Sequence, residues 1–203
     1  MYRKKIVQAG YNRIAEAYLA SRDKHSADIT LLDELDRRLP GGATVLDAGC
    51  GAGVPVTRYW SQRHRVVGID FSEAQVRMAR RLVPRAAFLC QDLAQMGFGR
   101  MTFDAIISYY AIIHVPRDLH QDIFRQMHTL LKPMGFALLC LGAEDLEEDI
   151  VEDYLGAPMY WSHFDIGTNV RLLRGCGFRM ILSQVVEDAS SPGSGHLFVL
   201  VQK

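Results

Sequence analysis

The stretch VLDAGCGAG, residues 45–53, sets Gly49, Gly51 and Gly53 at alternate positions directly after an apolar run. Glycine carries no Cβ, so such a backbone turns sharply and lets another molecule come close. A helix that follows this kind of turn points free N–H groups at whatever lies above it. Val54-Pro55 suits that helix start, because proline is tolerated in a first turn. The chemistry is that of a nucleotide-type loop. The dinucleotide fingerprint G-x-G-x-x-G is one residue longer than the G-x-G-x-G spacing present here. A structural turn with no ligand is the plainer alternative. Asp70 closes the next apolar run, about 20 residues beyond the first glycine, where a carboxylate accepts hydrogen bonds from ribose hydroxyls. That feature serves NAD and adenosyl ligands equally.

Two histidines are placed to accept a proton near neutral pH. His114 follows the fourth apolar run in IIHVP, and His163 lies in MYWSHFD. Each is otherwise a packed or hydrogen-bonded wall residue. APMYWSHFD, residues 157–165, holds Tyr160, Trp161 and Phe164 within five positions. Aromatics with a few polar groups suit the wall of a small-molecule pocket, and they serve equally to pin a loop onto a core. No metal site is expected, because Cys50, Cys90, Cys140 and Cys176 are scattered and form no CxxC pair. A reduced, cytoplasmic chain is the simplest reading of those cysteines.

The elements that position these residues alternate. Strands are expected at 44–47, 65–70, 86–92, 103–110 and 135–142, with helical patterns between them, which is the signature of a parallel sheet covered on both faces. Ser72 as N-cap with Gln75 three residues on reads as a capping box for a helix over 72–83. Arg77, Arg80 and Arg81 on that helix read as a solvated face. A second helix is expected over 118–131, stopped by KPMG at 132–135. Two strand-like runs, 177–188 and 195–203, are joined too tightly for a helix, so they should be antiparallel. Residues 3–39 read as two helices, and 143–167 as an insertion whose acidic first half reads as a solvated helix face.

The chain has 203 residues, which suits a single domain. Its 23 lysines and arginines balance 23 aspartates and glutamates, which argues against a broad nucleic-acid surface. No apolar run reaches the ~20 residues of a membrane span, and the first residues lack the apolar core of a signal peptide. Neither a nucleic acid nor a membrane is expected as a partner.

Together, VLDAGCGAG (45–53), VVGIDFSEAQVRMAR (66–80), LCQDL (89–93) and FDAIISYYAIIHV (103–115) resemble the class I S-adenosylmethionine-dependent methyltransferases in order and spacing. The resemblance covers roughly residues 40–142, and the C-terminal strand pair supports it. It implies an α/β Rossmann-like fold: a seven-stranded sheet, mostly parallel with an antiparallel C-terminal strand pair, and helices on both faces. It implies S-adenosylmethionine as cofactor and a small-molecule substrate. Carried over position by position, Asp47 and the backbone of Gly49, Gly51 and Gly53 would hold the methionine part, and Asp70 the ribose hydroxyls. Phe71 would pack on the adenine, or is ordinary core. Asp92 would accept from the adenine amino group beside Leu93, while Ser108 and Tyr109 would face the methionine and methyl group. YNRIAEAY (11–18) resembles the lid helix of small-molecule members, with Tyr11 and Tyr18 on its inner face. Residues 1–39 form the lid region on that reading. Tyr110, Tyr160 and Trp161 are the expected substrate contacts.

The sequence departs from members that act on nucleic-acid bases or amides, because Ser108-Tyr109-Tyr110-Ala111 replaces their Asn/Asp-Pro-Pro-aromatic motif. The expected reaction is methyl transfer to a small molecule by a monomer or weak homodimer. O-methylation is favoured, with His114 or His163 as base. The rivals are an NAD(P)-dependent oxidoreductase and a non-catalytic adenosyl-binding subunit that supports a partner.

Overall fold

The computed structural model describes residues 2–22, 29–188 and 191–203. The strands of the main sheet are β1 (Thr44–Ala48), β2 (Arg65–Asp70), β3 (Ala87–Cys90), β4 (Phe103–Ser108), β5 (Leu131–Gly142), β8 (Arg179–Asp188) and β9 (Ser191–Gln202). Their spatial order is β3-β2-β1-β4-β5-β9-β8. Strands β1 to β5 run parallel, while β9 is antiparallel to both β5 and β8. The expected seven-stranded architecture is therefore present. The link between the last two strands falls partly on residues 189–190, outside the described residues.

The central strands β1, β4 and β5 place apolar residues on both faces because the sheet is covered there on both sides. Successive side chains point to opposite faces. Thus Leu46 and Ile106 join one core with Ile123, Phe124 and Met127 of α5 (His120–Leu130) and Leu173 of α6 (Ile166–Gly175). Their neighbours Val45 and Ile107 join the opposite core with Leu31, Leu32 and Leu35 of α2 (Thr30–Asp36) and Trp60 of α3 (Val56–Trp60). Helix α4 (Glu73–Leu82) lays Val76 and Ala79 against Phe88. Among the described residues no helix is long and apolar enough to cross a membrane.

The N-terminal segment divides. Helix α2 belongs to the core under the sheet, whereas α1 (Tyr2–Ser21) packs Val7 and Ile14 against Ala157, Met159 and Tyr160. The insertion corrects an expectation: its acidic half is not a helix. Residues Leu146–Tyr154 form β6, paired antiparallel with β7 (Ala157–His163). Leu155 and Gly156 close this hairpin with φ of 55° and 99°, the two positive values that a twisted two-residue turn demands. The hairpin pairs the charged strand with one whose Ala157, Met159 and Tyr160 are buried, so tertiary pairing overrides the local charge pattern. The fifth strand also begins earlier than expected, at Leu131, because Leu131 already pairs with Phe103 before a register shift carries the chain past Met134 at φ 64°. The helix before it is correspondingly shorter.

Ile106 is fully buried at the sheet centre. Ile106→Ala should lower stability by about 2–5 kcal/mol in urea unfolding, the range for emptying such a site.

Candidate active site

A cavity of about 380 Å³ opens above the carboxyl ends of the parallel strands, and a smaller pocket of about 40 Å³ adjoins it. The two meet at Gly49, Gly51, Tyr18 and Tyr109. Strand order reverses between β1 and β4, and open α/β sheets bind ligands at that crevice.

All three loop glycines have positive φ, 84° at Gly49, 53° at Gly51 and 75° at Gly53, yet each is needed for a separate reason. A Cβ on Gly49 would overlap the Ala111 side chain. One on Gly53 would press on Val83 at 3.1 Å and Phe88 at 3.3 Å. At Gly51 the nearest atom is Gln75 Oε1 at 3.8 Å, so there the backbone faces open cavity. The expected helix donors play a smaller part. Helix α3 has only five residues, and the N–H groups of Gly49 and Cys50 are committed to the Ile69 carbonyl at 2.8 and 2.9 Å.

Asp70 ties this loop to the next element. Its Oδ2 accepts from Gly51 N at 3.0 Å and its Oδ1 from Ser72 N at 2.8 Å. Each oxygen keeps a lone pair for a ligand. Burial pushes this carboxyl up to about 6 against the pull of those two N–H groups. Asp47, at the rim of the smaller pocket, is 2% exposed and accepts from Thr57 Oγ1 at 2.5 Å. Burial raises it to about 7. Phe71 and Leu93 line the main cavity. So does Asp92, whose Oδ1 caps Ala94 N at 2.9 Å while its other oxygen holds Lys4 Nζ at 2.6 Å.

Helix α1 supplies one wall. Tyr11 and Tyr18 line the cavity with their rings edge to face, 5.1 Å apart. The helix is held by Gln8 Nε2 donating to the Phe71 carbonyl at 2.7 Å and by Asn12 Oδ1 accepting from Ser72 Oγ at 2.8 Å. Tyr109 and Tyr110 close the far side, with Tyr110 held at φ 55°. The Arg22 guanidinium lies over the Tyr110 ring at 4.5 Å. Ser108 stands apart: it is fully buried, and its hydroxyl donates to the Ala48 carbonyl at 2.7 Å.

The two histidines separate. His114 lines the cavity, with Nδ1 2.7 Å from the Tyr160 carbonyl and Nε2 2.8 Å from Tyr11 Oη. A carbonyl only accepts, so Nδ1 carries the proton and Nε2 accepts from the Tyr11 hydroxyl. Burial, more than the neighbouring histidines, lowers His114 to about 4. Burial holds Tyr11 well above the usual phenol range, so its O–H stays intact. His163 points elsewhere, its Nδ1 2.7 Å from the Glu144 carbonyl. None of residues 157–165 lines either pocket. Tyr160 is 1% exposed under α1 and reaches the site through its carbonyl, while the Trp161 ring packs 5.2 Å from that of His114.

Sequence reasoning passed over Arg22 and Gln75. Arg22 sits beyond the quoted helix face, and nothing local marks it. Gln75 was absorbed into the capping box, but only half of that box forms. Ser72 Oγ accepts from Gln75 N at 3.2 Å. The reciprocal bond is blocked because Ser72 N already donates to Asp70.

The cradle fits an adenosyl ligand: an open glycine backbone, a carboxylate with free lone pairs above it, an aromatic beside it, and an acid and a guanidinium on the smaller pocket. The profile of a family described as methyltransferase domain matches residues 45–135. A malonyl-[acyl-carrier protein] O-methyltransferase of Pseudescherichia vulneris is 31% identical over 181 residues, covering 85% of this chain and 70% of that protein. A 2-phytyl-1,4-naphtoquinone methyltransferase of Thermosynechococcus vestitus is 34% identical over 146 residues, covering 66% of this chain and 63% of that one. The chain thus spans less than three quarters of the length of either curated relative. The structure of the Burkholderia thailandensis 1,6-didemethyltoxoflavin-N1-methyltransferase, with bound 1,6-didemethyltoxoflavin and S-adenosylhomocysteine, superposes at a TM-score of 0.74 with 22% identity. It covers all of this chain and 87% of that one.

An acceptor carboxylate is lost on protonation, so binding of S-adenosylhomocysteine should weaken as pH falls through about 6. Between pH 7.5 and pH 5 the Asp70 share of that loss should be about tenfold in affinity by calorimetry. Asp70→Asn should remove the part of that dependence centred near 6.

Proposed function

The chain belongs to the class I S-adenosylmethionine-dependent methyltransferases, and we propose that it methylates an acidic hydroxyl, phenolic or enolic, on a small organic acceptor. The cofactor brings a methyl group already activated on a sulfonium, so alignment of the acceptor supplies much of the rate, on the order of 7–11 kcal/mol in well-oriented cases. What remains for the protein is binding, exclusion of water and removal of one proton.

Binding falls to the residues above the sheet. Asp70 takes the ribose hydroxyls and Phe71 the adenine face, with Asp92 and Leu93 at the adenine edge. The smaller pocket takes the amino-acid tail, with Asp47 toward its ammonium and Arg22 toward its carboxylate. Gly49 and Gly51 leave room for the ligand, and Gly53 holds the loop on α4. Tyr18 and Tyr109, at the junction of the two pockets, flank the methyl group, and Tyr110 faces the acceptor. Ser108 sets the end of β4 against β1 from behind. Helix α1 is the lid, and 143–167 braces it from outside. Residues 1–203 form one domain on this reading.

The observation that carries the reading is the chain Tyr11 Oη–His114 Nε2, His114 Nδ1–Tyr160 carbonyl. His114 is neutral throughout the physiological range, and its one lone pair already meets a hydroxyl proton. The acceptor O–H donates to Tyr11 Oη as the Tyr11 proton passes to His114 Nε2. The imidazolium so formed keeps its Nδ1–H on the Tyr160 carbonyl. A weak base of this kind matches an acidic hydroxyl better than an alcohol, since proton transfer is most efficient between groups of similar pKa. His163, bound to the Glu144 carbonyl, is the lesser candidate for base and needs its side chain to turn. Tyr160 and Trp161 act on the acceptor through His114, which they pack and hold. Four free cysteines accord with a reducing, cytoplasmic setting. A monomer or weak homodimer, with neither nucleic acid nor membrane as partner, completes the proposal.

Methyl-labelled cofactor offered with phenols, hydroxyquinones, a malonyl thioester and heteroaromatic amines should label oxygen of a phenol or enol. Label only on nitrogen or carbon would sink the O-methylation reading. With the accepted substrate, His114→Gln and Tyr11→Phe should each lower kcat by about 10²–10⁴ with little change in KM. Separately, Asp70→Ala should weaken S-adenosylhomocysteine binding by about 1.5–3 kcal/mol, the worth of hydrogen bonds to a charged group.

A further inference from the structure

Gln75 is a buried amide without a protein partner among the described residues. It is 1% exposed, and neither Oε1 nor Nε2 meets a described group within hydrogen-bond distance. It lines the main cavity beside Gly51 and Asp70, and Oε1 stands 3.8 Å from where a Gly51 Cβ would project. Buried polar groups are rarely left unpaired, because the lost hydration is costly. The local cause is clear. A glutamine at this helix position ordinarily reaches back to the N-cap N–H, but Ser72 N donates to Asp70 Oδ1 at 2.8 Å. Asp70 therefore displaces Gln75 from its capping role and leaves it in the cavity wall.

The two side chains are complementary. The Asp70 carboxylate only accepts hydrogen bonds, whereas an amide offers both a donor and an acceptor. A ligand that satisfies both needs neighbouring groups that donate and accept, which is the chemistry of a vicinal diol. We propose that Gln75 is a second sugar-recognition residue, its Nε2 donating to and its Oε1 accepting from the ribose hydroxyl pair that Asp70 also holds. The inference rests on the adenosyl reading of the site. It adds that the enzyme reads both hydroxyls of the sugar by two unlike side chains, and so discriminates against deoxyribose and carbocyclic deoxy analogues.

The test uses calorimetry with S-adenosylhomocysteine and its 2′-deoxy and 3′-deoxy analogues, on the wild-type protein, Gln75→Met and Gln75→Leu. Both substitutions keep the bulk and remove the amide. Each should lower affinity for S-adenosylhomocysteine about three- to tenfold, the worth of one net hydrogen bond. The penalty for at least one deoxy analogue, large in the wild type, should shrink by the same factor. Thermal unfolding without ligand should stay level or rise, because the variants no longer bury an unpaired amide. Unchanged affinity would overturn the proposal and leave an ordered water as the partner of Gln75. Equal losses for all three ligands with a lower melting temperature would overturn it too, since that is the mark of a packing role. Failure of the wild-type protein to bind S-adenosylhomocysteine is a different result, which removes the adenosyl reading itself.

Discussion

The Asp70 carboxylate, gripping Gly51 N with one oxygen and Ser72 N with the other, is the contact on which the site depends. It joins the glycine loop after β1 to the start of α4 across the end of β2. Both N–H groups would otherwise lie unpaired near a cavity. The carboxylate satisfies them and still has lone pairs to offer. Its burial is uphill, which is why its pKa rises, and a ligand that donates to it relieves that cost. The same grip decides what Gln75 cannot do. These two hydrogen bonds to one carboxylate thus shape the loop, the helix start and the cavity wall together.

A second arrangement crosses longer distances in sequence. Tyr11 from α1, His114 from the loop after β4 and the Tyr160 carbonyl from β7 meet in one hydrogen-bonded row. Each contributes an unlike group, namely an O–H donor, an imidazole of fixed tautomer and a carbonyl acceptor. The row also docks α1, along with Gln8 at the Phe71 carbonyl and Asn12 at Ser72. The wall that closes the cavity and the groups proposed to move a proton are therefore held by the same bonds. Aromatic packing behind them, from Trp161 on His114 and Tyr154 on Trp161, keeps the imidazole dry and neutral.

The sheet makes this geometry possible by leaving its strand ends free. Leu46 and Val45, or Ile106 and Ile107, go to opposite cores, so the middle strands spend their side chains on packing. Only the residues at their carboxyl ends, Asp47, Asp70 and Tyr109 among them, are released toward a ligand. Ser108 shows the boundary, since it is still turned inward and bonded to the neighbouring strand.

Short-range pattern was enough for much of this. Alternation of apolar runs, the glycine spacing, the acid closing β2 and the tight C-terminal pair depend on neighbours in sequence, and the chain carries them openly. The hairpin at 146–163 was not legible, because β6 is a strand only through its pairing with β7, and its own acidic residues point to another structure. The roles of the two histidines were equally hidden: they look alike in the chain, and only packing turns one to Tyr11 and the other to the Glu144 carbonyl. Gln75 is the sharpest case. Its sequence context describes a capping box, and the glutamine half of that box fails because a residue from the preceding strand takes the donor it needed. Local propensity and periodicity were written in the sequence, while the choice among competing hydrogen-bond partners, and the meeting of Tyr11, His114 and the Tyr160 carbonyl from far apart in the chain, was settled only by the folded geometry.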